Sequence, residues 1–142
     1  MVRDSAGEGS DTSGAFLAVD LECVLHKYRR WHQCFPGIKP FYAVKCNPNR
    51  EVVLALAMTS GCGFDCASPA EIDLVLGCGA DPCRIIYANP CKEVAALQHA
   101  LSAGITTVTF DSKEELLKIR RVLNARAQQA SIPDRDAARK EL

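Results

Sequence analysis

The sequence predicts an α/β fold: a partial (β/α)8 TIM barrel of about four βα units, preceded by one strand and one helix. Short apolar runs alternate with amphipathic stretches, and the cycle repeats at intervals of roughly twenty residues. Such alternation implies a parallel sheet covered by helices. Short loops and near-continuous apolar strands favour a barrel, and a doubly wound open sheet is the alternative. No glycine-rich dinucleotide turn follows any predicted strand, which makes the open sheet less favourable.

The composition is typical of a soluble globular domain. The chain has 142 residues, of which 48% are apolar and 24% are charged, and this length is sufficient for one core. Seventeen basic and seventeen acidic side chains cancel, so the charge does not indicate a nucleic-acid partner. No apolar run approaches the roughly 20 residues that span a bilayer, so no membrane association is predicted.

The N-terminal region divides into two segments. Residues 1–14 are polar and rich in Gly and Ser, which predicts a disordered lead-in and not a signal peptide. Residues 15–36 contain a short apolar run, Ala15–Val19, that predicts a strand. A helix is predicted over Leu21–Cys34, because apolar residues recur there at three- and four-residue spacing.

Residues 37–124 are predicted to form the barrel units, and the first unit opens with "FYAVKCN", Phe41 to Asn47. Because side chains alternate along a strand, one face of this strand would carry Phe41, Ala43, Lys45 and Asn47. A helix with an apolar stripe follows this strand and is closed by Gly61.

The second unit contains a strand at Gly63–Ala67, whose inward face would carry Asp65. Ser68 and Glu71 have the spacing of a capping box, with a proline at the first helical position. This pattern predicts that a helix begins directly after the strand and ends near Gly77.

Two further units follow. Strands are predicted at Ile85–Asn89 and Thr106–Asp111, and each is followed by a helical stripe of apolar residues. Ser112 is the predicted cap of the last helix. Residues 125–142 read as a charged tail that Pro133 interrupts.

The cysteines indicate a reducing compartment. Eight are present and no secretory signal precedes them, so we expect free thiols and a cytoplasmic location. Cys62 and Cys66, like Cys78 and Cys83, are spaced loosely like metal-ligand pairs. Cys66 lies within a predicted strand, where a small buried side chain is the ordinary interpretation, and we predict no metal site.

The predicted strands end in residues whose side chains can do chemistry: Lys45 with Asn47, Asp65 with Ser68, Asn89, and Asp111 with Ser112. In a barrel the carboxyl ends of the strands form one rim, and active sites are built there. The sequence therefore predicts a functional site at this rim.

Lys45 is the most unusual of these residues, because it follows the most apolar part of a strand. Fully burying a lysine lowers its pKa by about three to five pH units, which corresponds to roughly 4–7 kcal/mol against the charged form. Three explanations are open: a buried ion pair with Asp65, an ordinary charge that reaches the surface, or an amine nucleophile that holds a carbonyl cofactor covalently.

Three motifs resemble those of the eukaryotic ornithine decarboxylases, which are pyridoxal-phosphate enzymes with an alanine-racemase-like barrel (group IV). They are "PFYAVKCN", "GFDCAS" followed two residues later by Glu-Ile, and "RIIYANPCK". "TFDSKEEL" is a fourth and weaker match. The resemblance covers residues 15–122 with the motifs in the expected order and spacing.

The resemblance assigns roles to four residues. In that family the lysine of "YAVKCN" binds pyridoxal 5'-phosphate covalently, which implies this role for Lys45. Asp65 would lie near the cofactor and hydrogen-bond the lysine. Glu71 and Asn89 are further cofactor-binding candidates, although a helix-capping carboxylate and a loop-forming amide are the alternatives for them.

The resemblance also implies a reaction, the decarboxylation of L-ornithine to putrescine in polyamine biosynthesis, carried out by a homodimer. Relatives that act on lysine, arginine or diaminopimelate share the lysine-bearing strand, so the substrate among these amino acids stays open. A complete (β/α)8 barrel takes about 250 residues. We therefore expect four units to represent the N-terminal part of the enzyme and to be inactive alone.

A non-catalytic role is the alternative. Antizyme-inhibitor-like relatives share the fold, and the region corresponding to Lys92–Leu117 helps to bind antizyme in animal ornithine decarboxylases. Those relatives can keep the lysine while losing the aspartate of "GFDCAS" and altering "YANP". Because the chain has both Asp65 and Asn89, it resembles the catalytic branch.

Overall fold

A computed structural model describes residues 17–130, so the predicted lead-in at residues 1–14 and residues 131–142 lie outside the described part. The helices are α1 (Leu21–Cys34), α2 (Arg50–Ala57), α3 (Pro69–Gly77), α4 (Val94–Ser102) and α5 (Lys113–Ala130). The strands are β1 (Phe41–Ala43), β2 (Gly63–Cys66), β3 (Ile85–Tyr87) and β4 (Thr107–Val108).

The four strands form one parallel sheet in the order β1-β2-β3-β4. Each strand is connected to the next through a helix, and neighbouring helices in the chain pack against each other. A doubly wound sheet reverses its strand order at a switch point, and no reversal occurs among these strands. The predicted α/β class, with consecutive βα units, is confirmed.

The strand register separates the sheet into two faces. Ala43 is aligned with Asp65, and Asp65 is aligned with Ile86 on the following strand. Residues in register on parallel strands point to the same side. One face therefore carries Phe41, Ala43, Gly63, Asp65, Ile86 and Thr107. The helices cover the opposite face.

The core lies between the helices and the covered face of the sheet. From the strands it receives Phe64, Cys66, Ile85 and Tyr87, and from the helices chiefly the apolar stripes of α2 and α3. The apolar stripes that predict the helices are therefore the surfaces that are buried, which is the main stabilising contribution to such a fold.

Arg84 ties the end of α2 to the start of β3. Its guanidinium donates hydrogen bonds to the carbonyls of Cys62 at 2.8 Å, Ala57 at 2.7 Å and Thr59 at 2.8 Å. The last carbonyls of a helix have no partner within the helix, and a cation there also opposes the negative end of the helix dipole. Arg84 therefore fixes the α2–β2 connection.

Several predicted boundaries are wrong. Residues 17–19, the described part of the predicted strand Ala15–Val19, form no strand and are exposed, because no described segment pairs with them. β1 stops at Ala43, and β4 is much shorter than predicted. α5 continues to Ala130, across the predicted boundary at residue 124.

All eight cysteines are free thiols. Among the described residues, no group of three or more His, Cys, Asp or Glu is placed to hold a metal ion. No helix between residues 17 and 130 has the length and apolar character that a bilayer crossing requires.

Candidate functional site

Lys45 lies on a short 3-10 turn, Val44–Cys46, directly after β1. Val44 is completely buried and anchors the turn in the core. The hydroxyl of Tyr42 donates a hydrogen bond to the carbonyl of Asn47 at 3.0 Å. The side chain of Asn49 then caps α2 by accepting hydrogen bonds from two of its first backbone amides. The position of Lys45 is thus fixed on both sides.

The predicted strand alternation fails at Lys45. β1 ends at Ala43 and Val44–Cys46 form a 3-10 turn, so the regular alternation of a strand does not extend to Lys45 and Asn47. The side chain of Lys45 is exposed. The desolvation penalty expected for a buried lysine is therefore not incurred, and no ion pair or hydrogen bond joins Lys45 to Asp65 within residues 17–130.

Asp65 is the third residue of β2 and lies on the uncovered face of the sheet, in register with Ala43. Its Oδ1 atom is buried and has no hydrogen-bond partner among residues 17–130. A buried acceptor without a donor costs about 1–3 kcal/mol. Lys45 lies two residues beyond Ala43, the register partner of Asp65. An unsatisfied carboxylate oxygen at this distance along the sheet is typical of a site that binds a hydrogen-bond donor.

Glu71 acts as a helix cap. Ser68 Oγ accepts a hydrogen bond from the backbone amide of Glu71 at 3.3 Å, as the capping box predicts. The Glu71 carboxylate accepts from the backbone amide of Ala67 at 2.7 Å instead of from Ser68 itself. The structure thus contains the capping alternative for Glu71, with the cap shifted by one residue.

Asn89 forms the loop after β3. Its side-chain Oδ1 accepts a hydrogen bond from the backbone amide of Cys91 at 3.2 Å, which closes an Asx turn. The predicted loop-forming role is therefore present. The amide nitrogen of the same side chain carries two further donors, which leaves Asn89 able to contact a ligand at the rim.

The structure brings three of the four predicted residues to one edge of the sheet. Lys45, Asp65 and Asn89 belong to the carboxyl ends of β1, β2 and β3, which are neighbours in the sheet. Glu71 lies behind this edge, in the first turn of α3. The edge can hold a ligand that needs an amine, a hydrogen-bond acceptor and an amide donor.

A buried ion pair next to this edge was not predicted from the sequence. Lys92 and Glu115 are 1% and 3% exposed, respectively, and Lys92 Nζ lies 3.0 Å from Glu115 Oε1. Lys118 pairs with the other carboxylate oxygen. Burial alone would raise the pKa of Glu115, but hydrogen bonds from Lys118 and Lys92 outweigh burial and hold this pKa below its ordinary value.

One sequence signal indicates the local role of Glu115 but not its pairing with Lys92. Ser112 and Glu115 have the same capping-box spacing as Ser68 and Glu71, and Ser112 Oγ indeed accepts from the backbone amide of Glu115 at 3.2 Å. Glu71 accepts from the amide of Ala67, directly before its own helix, whereas Glu115 accepts from the amide of Lys92 in the β3–α4 connection at 3.2 Å. Only the fold brings Lys92 within reach.

Comparison with known proteins defines the class. A family model for the pyridoxal-binding domain of pyridoxal-dependent decarboxylases matches residues 21–136. The chain therefore belongs to this family. This family is the one that the sequence motifs resemble.

Individual relatives are named ornithine decarboxylase. The enzyme of Mus pahari is 53% identical over 112 residues, which cover 79% of this chain and 24% of that protein. A solved structure of ornithine decarboxylase from Entamoeba histolytica matches with a TM-score of 0.69 and 39% identity, over 72% of this chain and 30% of that one. Antizyme inhibitor 2 of Xenopus laevis is 49% identical over 107 residues, covering 75% of this chain and 23% of that protein. The chain thus spans about a quarter of the length of its curated relatives.

The residues at the sheet edge fit a pyridoxal cofactor. An aldehyde needs a primary amine that it can reach, and Lys45 is exposed on an ordered turn. The buried Oδ1 of Asp65 lacks a donor, which a protonated group at the site would supply. Lys45, Asp65 and Asn89 are therefore residues of this chain that could hold a pyridoxal cofactor.

Proposed function

We propose that the chain supplies the lysine-bearing part of a pyridoxal-phosphate-dependent decarboxylase that converts L-ornithine to putrescine in the cytosol. Lys45 is the residue that bonds the cofactor aldehyde. One observation carries the proposal: an exposed lysine stands on a rigid turn at the same sheet edge as a buried carboxylate oxygen without a partner. Family membership and the resemblance to ornithine decarboxylases support it.

The residues at the sheet edge have different roles in the proposed site. When bound, the cofactor withdraws the electron pair that decarboxylation releases, so the protein's task is to bind and orient. Lys45 would hold the cofactor through a reversible covalent bond between its side-chain nitrogen and the aldehyde carbon, formed with loss of water, and a substrate amine would release it. Asp65 accepts a hydrogen bond and stabilises positive charge at its buried oxygen. Asn89 donates from its side-chain amide and orients what is bound at the edge.

The chain contributes one part of such a site. The described residues contain four parallel strands, and a closed barrel of this kind has eight. We propose that the 142-residue chain alone binds the cofactor without turnover, and that the active assembly is a homodimer of complete barrels. Glu71 supports the site indirectly, because it holds the amide of Ala67 directly after β2.

Titration of the chain with pyridoxal phosphate tests the role of Lys45. We expect a saturable absorption change, caused by covalent capture of the aldehyde, that disappears in Lys45→Ala. Lys39→Ala is the matched control, because Lys39 is also exposed and lies six positions earlier. An unchanged absorption response in Lys45→Ala would contradict the proposal.

A chimera tests the reaction. Residues 21–122 would replace the matching segment of Mus pahari ornithine decarboxylase, and release of CO2 from L-ornithine, L-lysine and L-arginine would be compared. We expect release from L-ornithine that Lys45→Ala abolishes. A folded chimera that captures the cofactor and releases no CO2 from any of these would exclude the catalytic role.

Binding of antizyme is the second candidate function. The similarity to antizyme inhibitor 2 of Xenopus laevis favours it. α4 and α5 also form a surface groove, of about 590 Å³, which Val94, Gln98, Lys118 and Arg121 help to line. This groove includes part of the segment Lys92–Leu117. A pull-down with purified antizyme at micromolar concentration tests this function. Arg121→Glu is the variant expected to weaken binding, and a failure of the unaltered chain to bind antizyme would exclude the function.

A further inference from the structure

Lys92 has all the hydrogen-bond partners that its ammonium group can use. Its Nζ donates to the carbonyl of Asn89 at 2.8 Å, to the carbonyl of Thr109 at 2.6 Å and to Glu115 Oε1 at 3.0 Å. An ammonium carries three donors. The side chain is fully buried, with its ammonium 5.8 Å from the ring centre of Tyr87.

These contacts join three segments at the carboxyl edge of the sheet. Asn89 and Lys92 belong to the connection after β3, Thr109 follows β4, and Glu115 lies in the first turn of α5. Lys118 closes the cluster, because its Nζ contacts both the Glu115 carboxylate and the carbonyl of Lys92. The cluster is thus the principal polar link between the β3–α4 and β4–α5 connections.

Stability alone is a weak explanation for such a pair. Burying two charges has a desolvation cost, and replacing a buried ion pair by apolar residues of similar size is often neutral or stabilising. An apolar pair offers no hydrogen-bond donor to the carbonyls of Asn89 and Thr109. It therefore cannot reproduce the directional hydrogen bonds that orient these carbonyls. The pair therefore specifies where these two carbonyls lie.

We propose that Lys92 and Glu115 are positioning residues for the cofactor site, an inference that rests on the proposed function. Lys92 holds the backbone of Asn89, and Asn89 Oδ1 in turn holds the amide of Cys91. The Lys92–Glu115 pair therefore orients the side-chain amide of Asn89 at the rim. The pair itself does not contact the ligand. Neither Lys92 nor Glu115 takes part in the chemistry.

The experiment compares variants of the 142-residue chain. Lys92→Met combined with Glu115→Leu removes both charges and keeps similar volumes, and Lys118 remains able to reach solvent, since its side chain is 26% exposed. Glu115→Gln is the milder second variant, in case the double variant does not fold. Asp73→Asn is the matched control, because it removes the carboxylate that contacts His99 Nε2 at 2.7 Å between α3 and α4, on exposed helix surfaces.

Three measurements are made on each variant: the midpoint of urea unfolding, amide hydrogen exchange at Cys91, and the concentration of pyridoxal phosphate that half-saturates capture. We expect a lower midpoint in the double variant, because the carbonyls of Asn89 and Thr109 lose their donor. We also expect about tenfold faster exchange at the Cys91 amide and half-saturation at about tenfold higher cofactor concentration. Glu115→Gln should also raise the exchange rate and the half-saturating cofactor concentration, each by a smaller factor than the double variant. Asp73→Asn should leave exchange and capture unchanged.

Unchanged exchange in the double variant, or faster exchange with unchanged capture, would overturn the inference. If the unaltered chain captured no pyridoxal phosphate, the proposed function would fail. The positioning of Asn89 would then still be decided by the exchange rate of the Cys91 amide, which Asn89 Oδ1 holds and which is measured without cofactor.

Discussion

The hydroxyl of Tyr42 donates a hydrogen bond to the carbonyl of Asn47 at 3.0 Å and thereby spans the turn that carries Lys45. Burial, with smaller contributions from Cys46 and Cys62, raises the pKa of Tyr42, so its hydroxyl stays a proton donor at neutral pH. The position of the turn that carries Lys45 is therefore fixed by Tyr42, a residue on the covered side of β1.

Tyr42→Phe should loosen this turn. Loss of one hydrogen bond lowers the free energy of unfolding by about 1 kcal/mol, and we expect capture of pyridoxal phosphate at Lys45 to weaken several-fold. Tyr28→Phe is the control, since it removes a tyrosine hydroxyl of α1 that makes no hydrogen bond to the turn among the described residues. Equal capture by the two variants, measured by absorbance titration, would show that the hydroxyl of Tyr42 does not position Lys45.

Ser68→Ala should destabilise the chain by about 1 kcal/mol, because Ser68 caps α3. Urea unfolding followed by circular dichroism measures this change. Ser60→Ala, at an exposed position, should change the unfolding free energy by less than about 0.5 kcal/mol. Similar losses in both variants would mean that the cap contributes nothing specific.

Gly63→Ala should destabilise the start of β2. A Cβ atom there would overlap the ring of Phe41, while one at Gly77 has nothing within 4 Å. We expect a loss of about 1–2 kcal/mol at position 63, because the ring must move. Gly77→Ala, near the end of α3, should stabilise by up to about 1 kcal/mol. Combining Gly63→Ala with Phe41→Ala should recover part of the loss, and its absence would exclude the overlap as the cause.

Cys66 should resist alkylation in the folded chain. Burial, with help from the nearby Glu71 and Asp65 carboxylates, raises its pKa to about 12, so almost no thiolate is present at pH 8. Iodoacetamide followed by peptide mass spectrometry should modify the exposed Cys34 and leave Cys66 intact. Labelling of both at equal rates without urea would contradict the burial of this part of β2.

Glu115 should make the free energy of unfolding depend on pH in the acidic range. Because its folded pKa is lowered, the linked stabilisation is present above the ordinary carboxyl pKa of about 4.3. It is lost as pH falls through the lower folded value. The unfolding midpoint of Glu115→Gln should therefore fall less steeply below about pH 4.3 than that of the unaltered chain. Glu114→Gln, an exposed neighbour, should follow the unaltered chain.

Element type could be predicted from the sequence because it depends on local periodicity. The stripe of α2 and the Ser68 cap of α3 are both present as the pattern indicates. Where the strands end is set by long-range contacts instead. β1 gives way to a 3-10 turn after Ala43, and no local signal in "FYAVKCN" distinguishes that turn from a longer strand.

The sequence predicted which residues lie at the candidate site, but not their exposure or their hydrogen bonds. The motifs placed Lys45, Asp65 and Asn89 at neighbouring strand ends, which the sheet order confirms. The exposure of Lys45 and the orphaned oxygen of Asp65 depend on which face of the sheet is covered. The Lys92–Glu115 pair joins residues 23 positions apart, a separation at which sequence spacing carries no information on contact.

Borohydride reduction of the chain with pyridoxal phosphate, followed by peptide mapping, is the most direct test of the central claim. We predict that the pyridoxyl group is found mainly on Lys45 and that Lys45→Arg loses it without gaining label elsewhere. Label distributed over the exposed Lys27, Lys39 and Lys113, with Lys45 unmodified, would contradict the account.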